Sequence, residues 1–229
     1  MVSIISNNES FLSSLSNVEA RILKDRQQVS SGLALQQVSD NPDEVSALLQ
    51  VKAALAHNTQ LQYNLGRVTT EVNSAEGAVN SAVSLMDRAR QIATEGASSL
   101  TGSTTDSQLA SQVKDIITEM QGLTNTQVEG RYVFSSNSDQ TPPYAGVDLT
   151  QANGVGAYQG SNATRTIEHP NGSTFAVSLT AQQIFDSGGP STSAFQSLTG
   201  LYGALMNGGS SAIAAATTNI ATATTYLDG

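Results

Sequence analysis

Apolar residues recur along this chain at alternating intervals of three and four, broken once by a stretch of period two. The first stripe, Phe11, Leu15, Val18 and Ile22, has spacings of 4, 3 and 4 and continues through Asp25 and Val29. It predicts an amphipathic helix ending near Ser31-Gly32, with an apolar face too narrow to be stable by itself. Asp40, Asn41 and Pro42 then form a helix start: two good capping residues, a proline suited to the first turn, and Asp43 and Glu44 opposing the positive end of the dipole. Downstream, Leu65, Val68, Val72, Ala75, Val79, Ala82, Met86, Ala89 and Ala93 alternate in steps of three and four, a coiled-coil seam. A helix from Pro42 to about Ser98 would span ~85 Å. Gly66 and Gly77 weaken it by roughly 1 kcal/mol each, so packing must supply the difference.

After the turn at Gly102 to Thr105, Asp106 is the expected cap of a third helix with seam residues Leu109, Val113, Ile116, Met120 and Leu123. The short connection predicts an antiparallel hairpin. From Gly130 the period becomes two. Segments 131–135, 157–159, 164–168 and 174–179 are strand candidates, separated by Pro142-Pro143, Asn153-Gly154, Gly160-Ser161 and Pro170-Asn-Gly172. Gly188-Gly189-Pro190 closes this stretch, and Phe195, Leu198, Leu201, Tyr202 and Leu205 return to helical spacing. Ile213, Ile220 and Leu227 follow at heptad distance, and the sequence stops inside that pattern, so a further C-terminal helix is expected.

The fold class is therefore mainly α with a β insert: a long antiparallel helical rod plus a small β-rich domain. Four parts are expected: an N-terminal assembly helix and loop over 1–39, mobile in the monomer; a helical hairpin rod over 40–129; a β-rich, outward-facing insert over 130–190; and return helices over 191–229, where the C-terminal assembly segment starts. Phe11, Leu15, Val18, Ile22, Ile213, Ile220 and Leu227 are assigned to an assembly interface. Their stripes offer too little surface to fold alone, so their ordering would await a partner.

Composition narrows the function. Hydrophobic residues make up 38% and aromatic ones 5%, with no Trp, which disfavours a large aromatic-lined ligand cavity. The net charge is −9, and no Lys or Arg follows Arg165, so a basic face for nucleic acid or an anionic membrane is not available. With no Cys, disulfides, thiolate metal sites and thiol nucleophiles are excluded. No apolar run approaches the ~20 residues of a membrane span, and Met1 to Ser10 has no secretory-signal pattern.

Candidate chemistry is sparse. His57 and His169 stand far apart with no partner at i, i+4, and capping accounts for the polar cluster at 40–44. No Gly-rich loop ends in Lys-Ser/Thr, and no Gly-x-Ser-x-Gly occurs. No catalytic, metal-binding or cofactor-binding residue is assigned, no cofactor or small-molecule substrate is expected, and the chain is read as a structural protein rather than an enzyme.

Several short motifs add a resemblance. Val29-Ser-Ser-Gly32 with Val38-Ser-Asp-Asn-Pro42, and Met86-Asp-Arg-Ala-Arg-Gln-Ile92, resemble N-terminal segments of the flagellin and hook-associated superfamily. Gly130-Arg-Tyr-Val-Phe134, Thr141-Pro-Pro-Tyr144, Tyr158-Gln-Gly160 and Gly172-Ser-Thr-Phe-Ala-Val177 leading to Gln183-Ile-Phe185 resemble its hook-associated protein 3, or hook-filament junction, branch. The Phe-Asn-Gly motif typical of flagellins is missing. The resemblance implies an extracellular subunit of the bacterial flagellum, exported unfolded through the flagellar secretion channel without signal cleavage. Its implied partners are a homo-oligomeric ring, a neighbouring hook-associated protein, flagellin and an export chaperone. Two alternatives stand beside it: a flagellin filament subunit, and a secreted helical adhesin or translocator tip protein.

Overall fold

The structure is a computed structural model describing residues 2–31, 42–98, 103–163, 165–169, 172–177 and 179–228, with only the backbone described for 2–12, 28, 31, 42–44 and 103. The chain forms two compact units, Met1–Gln60 and Leu61–Gly229. The first holds α1 (Val2–Ser31) and the beginning of α2 (Pro42–Gly96). Both helices lie close to the bounds their periodicity predicts. Pro42 is the first residue of α2, while Asp40 and Asn41 lie outside the described residues.

The second unit is built on the remainder of α2, α3 (Ser103–Thr124), α5 (Ala194–Asn207) and α6 (Gly209–Asp228). Helix α3 starts a turn earlier than expected, which leaves Asp106 inside the first turn, where its charge opposes the helix dipole. Helices α2 and α3 run antiparallel. Arg88 on α2 reaches Glu119 on α3 at 3.9 Å, and farther along α2 a Cβ at Gly96 would lie 3.6 Å from Leu109 near the start of α3. The same Gly96 position lies 2.6 Å from Leu205 and 3.7 Å from Ile213, so the three partner helices converge where α2 has no side chain. Glycine here permits close approach.

Helix α5 is capped by Ser193, whose hydroxyl accepts from the Gln196 amide, and it ends at Gly208. Gly209, with φ of +68°, turns the chain into α6 in a conformation that glycine tolerates at least cost.

Between α3 and α5 the chain is mostly irregular. Strands β1 (Gln127–Val128) and β2 (Arg131–Tyr132) pair antiparallel around Glu129 and Gly130, both at positive φ (52° and 74°), the backbone of a two-residue hairpin turn. A 3-10 segment, Val133–Ser138, takes over where a longer strand was expected. Strands β3 (Thr166–Glu168) and β4 (Thr174–Ala176) form a second antiparallel pair, with Ile167 opposite Phe175. Ala157–Gln159 is not a strand. A short helix α4 (Ala181–Phe185) begins with a capping box between Thr180 and Gln183.

The class is mainly α with a small β insert, as expected, and the insert over 130–190 shares its core with the helices. Phe134, Tyr144, Val155, Ala181 and Phe185 are buried in the same core as Met86, Val113, Leu198 and Ile220. The physical reason is aromatic: Phe134 meets Phe185 edge-on at 5.5 Å, and Tyr144 meets Tyr158 at 5.9 Å and Phe195 of α5 at 5.4 Å. Polar ties hold the loops that carry these rings. The Tyr158 hydroxyl donates to the Phe134 carbonyl at 2.9 Å, Gln121 donates to the Tyr144 carbonyl at 3.3 Å, and Asn153 donates to Asp186 at 2.8 Å.

The Tyr144 hydroxyl is the exception in this network. It is buried without a hydrogen-bond partner among the described residues, and burial, then the Asp186 charge and Tyr158, push its pKa far up. An unpaired buried hydroxyl costs roughly 1–3 kcal/mol. Tyr144→Phe, which keeps the ring, is therefore expected to raise stability by about 1 kcal/mol. A loss of similar size in urea denaturation would mean that the hydroxyl is paired in solution.

Candidate assembly surfaces

Helix α1 carries its apolar stripe in the open. Leu15, Val18 and Ile22 are 46%, 50% and 48% exposed, and Val29 reaches 85%. Phe11 lies in α1 with its backbone alone described. In the same unit, Leu48, Leu49, Val51 and Leu55 of α2 are also exposed. Together these aliphatic side chains form an exposed apolar surface of the kind on which a further helix can pack.

The C-terminal members of the predicted interface lie elsewhere. Ile213, Ile220 and Leu227 are buried in the core with Ala216 and Ala223, and their seam on α6 packs within the chain's own second unit. Heptad spacing reports that a seam exists and is silent about whose helix fills it. Here the Gly208–Gly209 turn folds α6 back along α5, and the hydroxyl of Tyr226 near its end donates to the Gln183 carbonyl at 3.3 Å. These three residues are core, not open assembly surface.

The rod seam is realised in part. Met86, Leu109, Val113, Ile116 and Met120 are fully or almost fully buried, and Leu123 packs against the same core. Upstream on α2, Leu65, Val68 and Val79 are half-buried, and Val72 is exposed at 44%. The face that continues the seam there borders Val133, Phe134, Val177, Leu179 and, from α4, Ile184, and it remains partly open.

That open stretch contains the main charged cluster of the second unit. Glu71, 7% exposed, is ion-paired with Arg165 and with Arg67 at 3.6 Å, while Arg67 also reaches Glu129 at 3.2 Å. Burial, and then the Arg67 charge, lower the pKa of Arg165. Arg131, paired with Asp139 at 3.1 Å, joins Arg67, Arg165, Asn64 and Val68 around a cavity of about 270 Å³. Glu71 and Val177 also line an adjoining, more apolar groove of about 310 Å³ formed with Val72, Ala75, Val79 and Leu179. The sequence reading missed this cluster, because its arginines are 34 or more positions apart from Arg67 to Arg165 and only the fold gathers them.

Among the described residues no three His, Asp or Glu side chains stand close enough to hold a metal ion, and no helix is long and apolar enough to cross a membrane. His57 lies exposed on α2, and the backbone amide of His169 bonds Ser173 across the β3–β4 turn.

The chain is 25% identical over 182 residues to flagellar hook-associated protein 3 of Salmonella typhimurium, an alignment covering 78% of this chain and 55% of that protein. It thus spans about half the length of that curated relative. Its fold is similar to that of Bacillus cereus FlgL, with a TM-score of 0.62, 17% identity, and coverage of 80% of this chain and 85% of the other. A putative flagellar hook-associated protein from Vibrio parahaemolyticus gives a TM-score of 0.61 at 22% identity, covering 84% and 88%. Residues 2–139, more than half of the sequence, match the family described as the bacterial flagellin N-terminal helical region, and the chain belongs to that family.

Proposed function

We propose that this chain is a structural subunit of the bacterial flagellum, placed at the junction between hook and filament and assembled through helix faces. The observation that carries the reading is the uncovered stripe Leu15, Val18 and Ile22 on α1, in a family whose name is that of a helical flagellar region. Similarity to hook-associated protein 3 supports the junction position, and the missing Phe-Asn-Gly motif favours it over a filament subunit. In this reading the subunit acts outside the cell after export, in a ring of its own copies with flagellin and a second hook-associated protein as neighbours. An export chaperone would cover the apolar stripe beforehand.

The mechanism is mechanical. A junction transmits torque when each subunit contacts several neighbours along helices, and aliphatic stripes serve because their burial is favourable at roughly 25 cal/mol per Å² without requiring one fixed hydrogen-bond geometry.

Deletion of the gene is expected to abolish swimming and to release flagellin into the medium, with full rescue by the native gene. An Ile22→Asp variant should rescue less than about a tenth of swimming cells, since an aspartate in an apolar contact costs several kcal/mol. Intact motility after deletion would instead favour the adhesin reading. Spontaneous growth of the purified protein into long filaments would favour flagellin.

A further inference from the structure

We infer that the β3–β4 hairpin is a strap that lifts off α2 as one unit and uncovers the seam at Val68 while the helical core stays folded. The inference rests on the assembly reading only for what an uncovered seam is used for. The lifting itself is a property of the single subunit.

The register of the hairpin fixes which way it faces. Ile167 stands opposite Phe175, and the Val177 amide donates to the Arg165 carbonyl at 3.0 Å, so Arg165, Ile167, Phe175 and Val177 share one face while Thr166, Glu168, Thr174 and Ala176 share the other. All four of the second set are exposed, whereas in the first Phe175 alone is, at 42%. The first face is the one turned toward α2. It is not closely seated there, because a cavity of about 270 Å³ lies between Arg165, Ile167 and Val177 of the hairpin and Asn64, Val68 and Glu71 of α2.

The attachment is correspondingly slight. The ladder is three residue pairs long, its described backbone hydrogen bonds run between its own two strands, and none of its described residues belongs to the core. A two-stranded hairpin of this size is marginal without support. The tie to α2 is the ion pair of Arg165 with Glu71, and Glu71 has a second partner in Arg67, which also reaches Glu129, while Arg131 across the cavity is paired with Asp139. Lifting the strap therefore takes Arg165 into water and leaves Glu71 on Arg67, so no buried charge is orphaned. Segments with few buried apolar contacts and exposed backbone bonds open at lower free energy than the helices beneath them. Val68, half-buried under the hairpin, then joins Val72, already 44% exposed, in an open line at helical spacing. In the closed state the chain's own strap occupies that stretch of the seam, which makes it an autoinhibitory contact.

The test is hydrogen exchange on the full chain in low concentrations of urea. Amides of Ile167, Phe175 and Val177 are expected to exchange through an opening with a much weaker urea dependence than those of Val113 and Leu198 in the helices. Arg165→Gln should speed the hairpin amides at least about tenfold and leave the two helical ones unchanged, and Arg165→Lys should restore most of the protection. Because the chain has no cysteine, a thiol placed by Val68→Cys can be followed with fluorescein maleimide. Its modification should accelerate in Arg165→Gln by the same factor as the exchange, while Gln62→Cys on the exposed side of α2 reacts equally in both backgrounds. A shared urea dependence for hairpin and helices would mean that the strap opens only with the whole unit, and hairpin exchange at the rate of an unstructured peptide would mean that it never closes. Either result overturns the inference, as does an Arg165→Gln variant with unaltered exchange or unaltered labelling at Val68→Cys. Motility in the gene deletion is read separately, so a failed strap leaves the junction reading standing.

Discussion

Phe195→Ala is expected to lower the thermal midpoint of the second unit by about 6 to 20 °C. Phe195 is fully buried at the start of α5, with ring centroids 5.4 Å from Tyr144 and 6.3 Å from Phe185. Truncating a buried phenylalanine costs about 3–5 kcal/mol, from lost transfer energy and from a cavity that its neighbours fill only in part. For a domain of this size each kcal/mol moves the midpoint by roughly 2–4 °C. The effect should extend beyond the helices. Phe195 is where Tyr144, from a loop, and Phe185, from α4, meet the bundle, so hydrogen exchange should quicken around all three rings. A shift below about 2 °C by calorimetry would mean that the irregular segment is not seated on the helices.

Glu71→Gln is expected to be the most damaging change at a charged position. The substitution keeps the shape but leaves Arg67 and Arg165 facing one another across a site from which water is partly excluded. Breaking a buried pair from one side typically costs 3–5 kcal/mol. The arginine side chains here retain 29% and 24% exposure, so screening by solvent reduces this to about 2–3 kcal/mol. Amides of the β3–β4 pair should exchange faster in the variant, because Arg165 adjoins β3 and its ion pair ties that hairpin to α2. Adding Arg165→Met should recover more than half of the loss by removing the unpaired cation. If the double variant is no more stable than the single one, the clamp assigned to Glu71 is wrong.

The two cases mark how far a sequence can be read. Seam positions such as Met86, Val113 and Met120 were legible because a helix repeats its facing residues at fixed intervals, and that periodicity survives whatever packs against it. The same reasoning placed Ile213, Ile220 and Leu227 on a seam and could not tell an internal partner from an external one. That choice is made by Gly208 and Gly209, where a change of chain direction decides which helix lies opposite. The region after Gly130 was least legible. Its alternation suggested strands, but Pro, Gly, Ser and Asn interrupt it every few residues, and pairing is limited to stretches of two and three. Thr180 and Gln183 did carry a local signal, the capping box of α4, and Gln183-Ile-Phe185 stood out only through its resemblance to a family segment. Glu71 gave no sign, because burial of a charge is a property of the assembled fold.

The interlocking of the irregular segment with the helices limits how this protein can be altered. Exchanging residues 130–190 as a cassette would strip Phe134, Tyr144 and Phe185 from a core they share with α5, so the recipient would lose its bundle along with its loops. The β3–β4 turn is another matter. His169 and Ser173 close it through their own backbone, and none of the buried rings belongs to it. Foreign peptides or reporter tags grafted there would ride on the subunit while the helices beneath keep their packing.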